Sequence, residues 1–172
     1  LAPVIPRAEN ALYAWYGENY PRVTELFSAE EIRQLRVQVA TDFPELVHDL
    51  TELRMRVLRH VADVSGYADD MAGEAFAVFD EVRKDVELFA DVRPGLTSLR
   101  QRYQVFALSN GNADLDRIGI GHYFDGAFAA RELGVAKPNP GIFRAVCEEV
   151  GARPEQVMHV GDHPENDVIA PM

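Results

Sequence analysis

Apolar residues recur at helical spacing through roughly the first 90 positions, and the period then shortens. After Pro6, the residues Ala11, Leu12, Trp15 and Tyr16 form one stripe. Ser28-Ala29-Glu30-Glu31 has the spacing of a capping box, in which the serine hydroxyl takes the Glu31 amide and the Glu31 carboxylate reaches back. Leu46, Leu50, Leu53, Val57, Val61 and Val64 predict a long helix that stops at Gly66. Met71, Ala75, Phe79, Val82, Val86 and Phe89 predict another. Helices with one apolar face each, joined by short turns, predict a small bundle.

Near Arg93-Pro94-Gly95 the pattern changes to short helices alternating with short apolar runs, which predicts α/β layering. Leu96 to Tyr103 reads as helical. Val105-Phe106-Ala107-Leu108 is apolar throughout, as expected of a strand buried on both faces. Ala127-Phe128-Ala129 is a weaker strand, and Val157-Met158-His159-Val160 a second buried one. Between them, Ile142, Phe143, Val146, Cys147 and Val150 form a helical stripe, opened near Pro140 and stopped by Gly151. The expected fold is α/β, with a helical domain over residues 1–92 and a Rossmann-like, parallel-sheet domain over 93–172.

Composition narrows the partners. The chain has 172 residues, with 47% hydrophobic and 26% charged residues and a formal charge of -11. These are proportions of a globular protein, and the negative field opposes nucleic acid or an anionic membrane as partner. No apolar run approaches the ~20 residues of a membrane span, and no secretory signal pattern is present. The single cysteine, Cys147, excludes an intramolecular disulfide and predicts a cytoplasmic protein. Nothing in the pattern specifies an oligomeric state.

Polar residues cluster just past the predicted strand ends, where open α/β sheets place their ligands. Ser109-Asn110-Gly111-Asn112 follows the first buried run, and its hydroxyl and amides could receive an anion. The same residues also suit a plain strand-to-helix turn with Asn112 as N-cap. Lys137-Pro138-Asn139-Pro140 precedes a helix, and Lys137 could neutralise a phosphate or stand as a solvated loop lysine. Gly161-Asp162-His163-Pro164-Glu165-Asn166-Asp167 follows the last buried run. Its two carboxylates suit Mg²⁺, which takes one or two protein carboxylates and fills its octahedron with water and substrate oxygens; an acidic capping turn is the alternative. His159 is expected to be a satisfied structural histidine and His163 an exposed neighbour, without the ligand spacing of a zinc site.

In this order, Ser109, Lys137 and Gly161-Asp162…Asp167 resemble motifs II, III and IV of the haloacid dehalogenase superfamily. The helical first half resembles its C1 cap, so the resemblance covers the whole chain. Ala2-Pro3-Val4-Ile5, the helix from His48-Asp49-Leu50-Thr51 through Arg54, and Leu108 to Asn112 look most like the bacterial phosphatases acting on flavin mononucleotide and on the riboflavin-pathway phosphoribityl-pyrimidine. The resemblance implies a Mg²⁺-dependent hydrolase of a small phosphorylated metabolite that works through an aspartyl-phosphate, with a second aspartate as general acid and base. It implies that Ser109, Asn110 and Gly111 hold the phosphoryl oxygens and that Lys137 neutralises charge. Asp162 would ligate Mg²⁺ with support from Asp167.

One motif departs from the pattern. An apolar strand ending Asp-x-Asp-x-Thr, which should supply the nucleophile, is absent, and Asp114-Leu115-Asp116 imitates it only in part. Those two acids read as first-turn residues favoured at a helix N-terminus. In the superfamily that strand lies between the ones carrying Ser109 and Asp162, and without it backbone groups on both sides would go unpaired. Neither Leu1-Ala2-Pro3 nor Ile169-Ala170-Pro171-Met172 looks like a natural terminus, so the protein is expected to start earlier and to continue to a further helix and strand. Two other functions stay open: 2-haloacid dehalogenation on the same fold, and a non-catalytic phosphate-binding module. His48, Thr51 and Arg54 are candidates for substrate contact or ordinary polar positions, and Asp91 to Gly95 is a candidate hinge.

Overall fold

The computed structural model describes residues 4–172, so the Ala2-Pro3 part of the resemblance lies outside the described residues. Helix α1, Val4–Asn19, buries Ala8, Leu12 and Tyr16, one residue per turn along a single face. The short α2, Pro21–Leu26, starts on a proline and contributes Val23 to the same core. Helix α3, Ala29–Asp42, begins with the expected capping box: Ser28 Oγ accepts from the Glu31 amide at 3.2 Å, and the Ser28 amide donates to the Glu31 carboxylate at 2.7 Å.

The next helix starts later than its apolar pattern predicts. Helix α4 spans Leu50–Val64, because the Asp49 carboxylate accepts from the Thr51 and Glu52 amides at 3.1 and 3.0 Å and so fixes the N-cap there. Leu46 falls instead in a 3-10 turn, Pro44–Leu46. Helix α5, Asp70–Lys84, ends before Val86 and Phe89, and Phe89 is 60% exposed. Leu12, Tyr16, Val57, Leu58, Val61, Met71, Ala75 and Phe79 meet in one buried cluster, with α1 and α4 both packed on α5.

Helix α6, Val92–Arg100, leads into strand β1, Phe106–Ser109. Strand β2, Gly126–Ala129, pairs parallel to it with Phe106 opposite Gly126 and Ser109 opposite Ala129. A side chain at 126 would crowd the Phe106 ring, since a Cβ there would lie 3.2 Å from it. Helix α7, Leu115–Ile118, lies between the strands and is capped by Asp114, whose carboxylate accepts from the Asp116 and Arg117 amides. Asp114 and Asp116 are thus helix-start residues as expected, whereas Asn112 is not the N-cap. Helices α8, Ala130–Leu133, and α9, Gly141–Glu149, follow, and Ala130, Ala136 and Ile142 form a second small core.

Two expectations fail in this half. Strand β1 is half-buried rather than covered on both faces. The run Val157 to Val160 is not a strand: Met158 is 86% and Val160 82% exposed. Among the described residues the one sheet holds β1 and β2, and this segment pairs with neither. The chain then makes a π-helix over Pro164–Ile169, which carries Asp167. No described helix is long and apolar enough to cross a membrane.

Candidate functional site

The tip of β1 turns tightly. Ser109 Oγ accepts from the Gly111 amide at 2.9 Å, and a Cβ on residue 111 would sit 3.2 Å from that hydroxyl, so glycine permits the close return. Asn110 spends its whole side-chain amide on one partner: Nδ2 donates to the Lys137 carbonyl and Oδ1 accepts from the Lys137 amide, both at 2.8 Å. That reciprocal pair pins the Ser109 turn to the Lys137 loop. Asn112 Nδ2 donates to Thr51 Oγ1 at 2.5 Å and Arg83 donates to the Asn112 carbonyl at 3.3 Å, so α4 and α5 touch the same turn.

Lys137 Nζ donates to Asp167 Oδ1 at 2.6 Å, with the two side chains only 11% and 5% exposed. His159 Nε2 lies 2.9 Å from the same oxygen, and the His163 amide donates to Asp167 Oδ2 at 3.0 Å. Burial by itself would raise the Asp167 pKa, but the hydrogen bonds from Lys137, His159 and the His163 amide outweigh it and hold the carboxyl well below the usual carboxylate range. Gly161 makes room for this, since a Cβ there would lie 2.2 Å from the Asp167 carboxyl carbon. The result is a fixed anion beside a fixed ammonium, one loop away from the Ser109 hydroxyl.

Of the residues singled out from sequence, the structure brings Lys137 against Asp167 and links both to the Ser109-Asn110-Gly111 turn. Asp162 stays outside this group, exposed to solvent. Among the described residues no three His, Cys, Asp or Glu side chains gather as a metal-binding group. Magnesium needs only one or two protein carboxylates, so exposed Asp162 fits it as a single ligand. Asp167 already accepts three hydrogen bonds with its two oxygens. His159, expected from the sequence only as a satisfied structural histidine, is a further member of the group, and the carboxylate that satisfies it lies eight residues on. Its ring also meets Phe143 edge-on at 5.0 Å, which fixes its orientation.

The chain is 28% identical over 170 residues to the 5-amino-6-(5-phospho-D-ribitylamino)uracil phosphatase YigB of Escherichia coli (strain K12), covering 96% of this chain and 71% of that protein. It is 33% identical over 121 residues to a phosphoserine phosphatase of Thermus thermophilus, covering 67% of this chain but only 49% of that protein. Among solved structures, one titled 2-haloacid dehalogenase, from Pseudomonas syringae pv. Tomato DC3000, superposes with a TM-score of 0.89 and 34% identity over 99% of this chain and 75% of the other. The family described as haloacid dehalogenase-like hydrolase matches residues 3–171, which is nearly the whole chain, and the protein belongs to that family.

Proposed function

We propose that the protein hydrolyses a small phosphate monoester, with residues 1–92 acting as a cap over a core of residues 93–172. The observation that carries this reading is the Lys137–Asp167–His159 cluster, locked through Asn110 to the Ser109 turn. Ser109 and the backbone amide of Asn110 receive the oxygens of the phosphoryl group, while the Gly111 amide, given to Ser109 Oγ, orients that hydroxyl. Lys137 faces that group with its ammonium already oriented by Asp167, so little reorganisation accompanies the development of charge. Mg²⁺ held by Asp162 would supply further charge neutralisation on the phosphoryl oxygens. Asp167 supports that site through Lys137 rather than by offering a free oxygen. The nucleophilic aspartate that the resemblance implies is not among these residues, so the activity belongs to a protein that also contains it.

The substrate proposed is flavin mononucleotide or a related riboflavin-pathway phosphate. Similarity to the ribitylaminouracil phosphatase supports it. Other relatives are named for other phosphates, phosphoserine among them, and they support phosphatase chemistry without supporting this substrate. A second reading, 2-haloacid dehalogenation, has a specific observation behind it: the 0.89 TM-score and 34% identity to the structure bearing that title. That match supports dehalogenation more directly than any comparison supports a flavin substrate.

Turnover of p-nitrophenyl phosphate and of 2-chloropropionate by the full-length protein, with and without Mg²⁺, separates the two. Metal-dependent phosphate release that falls by roughly 10²–10³ in Lys137→Ala supports the proposal. Halide release without metal, and no phosphate release, overturns it in favour of the second reading. Phosphate binding without turnover of either substrate overturns both.

A further inference from the structure

The turn Ser109-Asn110-Gly111-Asn112 contains a residue with no Cβ to fix its backbone direction. Yet the Gly111 amide must point at Ser109 Oγ, to which it donates at 2.9 Å, for that hydroxyl to keep its orientation. The turn therefore takes its shape from anchors on either side of the glycine. On one side, the Asn110 side chain is tied to the Lys137 backbone. On the other stands Asn112, whose partners come from the helices and not from the sheet.

Asn112 is held at two points by two helices. Its Nδ2 donates at 2.5 Å to Thr51 Oγ1, in the first turn of α4, and its carbonyl accepts at 3.3 Å from Arg83, near the end of α5. Neither partner is a loose surface side chain. The Arg83 side chain is only 13% exposed and is itself fixed by Asp80, one turn earlier, at 2.7 Å. Thr51 is fixed at the helix start by Asp49, which accepts its amide at 3.1 Å. Two other links join the same regions but differ in kind. Arg131–Asp49 and Arg117–Glu81 are ion pairs whose arginines are 57% and 43% exposed, where water screens the charge, and neither includes a residue of the serine turn.

We propose that Asn112 is a positioning residue for the site. Its bonds to Thr51 and Arg83 set Gly111, and through Gly111 the Ser109 hydroxyl, so that the hydroxyl is oriented only while α4 and α5 stay seated on the turn. Asn112 touches no reacting atom in this role. The inference deepens the hydrolytic reading and rests on it for its kinetic arm; a second arm reads the turn directly, without turnover.

The test uses the full-length protein and begins with Thr51→Val, which keeps the shape of the side chain and removes the acceptor. It is expected to lower kcat on p-nitrophenyl phosphate roughly tenfold at nearly constant KM, as misplacement of a reacting group would. It is also expected to shift the Gly111 amide resonance in NMR spectra. Thr51→Ser keeps an acceptor oxygen and should restore both. Asn112→Ala removes the other end of the same bond, so it should match Thr51→Val, and the double variant should lose no more than either single one. A kcat that Thr51→Val and Asn112→Ala leave unchanged in an active enzyme, or an unmoved Gly111 resonance, overturns the proposal. A loss confined to KM overturns it too, since it would put these side chains on the substrate. The Gly111 resonance keeps this proposal distinct from the hydrolytic reading. A wild type that releases no phosphate refutes that reading, while a shift present in Thr51→Val and absent in Thr51→Ser still supports the positioning role.

Discussion

Asp167→Asn tests whether the buried cluster is held by charge. The substitution keeps the shape but removes the negative charge that faces Lys137 across 2.6 Å. The lysine, only 11% exposed, is left as a buried cation without its counterion. An asparagine that turns Oδ1 toward Lys137 and His159 also presents its NH₂ to the His163 amide, setting donor against donor where a 3.0 Å hydrogen bond stood. Breaking one side of a buried ion pair costs about 3–5 kcal/mol, and the lower end suits a pair that keeps some solvent contact. Urea unfolding at pH 7 should therefore show a loss of about 3 kcal/mol, or about 1.5 M in midpoint for an m near 2 kcal/mol/M. The pH dependence has a definite sign. The folded-state pKa of Asp167 lies below its ordinary 3.8, so its contribution is fully present above that value and is lost as pH falls toward the lower folded value. The gap between wild type and Asp167→Asn should shrink below about pH 4. A loss under about 1 kcal/mol at pH 7, or a gap that survives acid, would refute the charge argument.

Gly161→Ala should disturb the same cluster from the backbone side, because its Cβ would fall 2.2 Å from the Asp167 carboxyl carbon; a loss of about 1–3 kcal/mol in urea unfolding is expected. Thr51→Val removes the acceptor for Asn112 Nδ2 and should cost about 1 kcal/mol, with Lys137→Met additive to it because the two share no partner. Ser28→Ala deletes one half of a capping box and should lower stability by about 1 kcal/mol without touching turnover, which activity of the full-length variant checks.

The helices were readable in the chain where one element satisfied its own rules. The stripes of α1, α4 and α5, the Ser28–Glu31 box and the Asp114 and Asp116 helix start depend on residues within four positions of one another. The misplaced features depend on distant ones. Asn112 and Asp114 are equally good N-cap types, and what separates them is Thr51, 61 residues away, which engages the Asn112 side chain and leaves the cap to Asp114. Val157 to Val160 has a strand's composition, but an apolar run becomes a buried strand only when it pairs with a neighbour, and among the described residues it pairs with neither β1 nor β2.

The candidate site divides along the same line. Ser109, Lys137 and Asp167 were located by their positions at the ends of elements, while their partnerships came from contacts spanning up to 30 residues. Asn110 shows what that adds. Read from the sequence it contacts the ligand, yet both ends of its side chain are committed to the Lys137 backbone. Any contact it makes with a phosphoryl oxygen must therefore come from its main chain, and its side chain serves to hold the lysine loop in register with the serine turn. Asn110→Ala should accordingly weaken turnover by letting Lys137 drift, and an aspartate there should fare worse than alanine. Aspartate keeps the acceptor for the Lys137 amide but sets a second oxygen against the Lys137 carbonyl, where the amide now donates. Equal kcat/KM for wild type and Asn110→Ala would show that the register of the two loops does not need this residue.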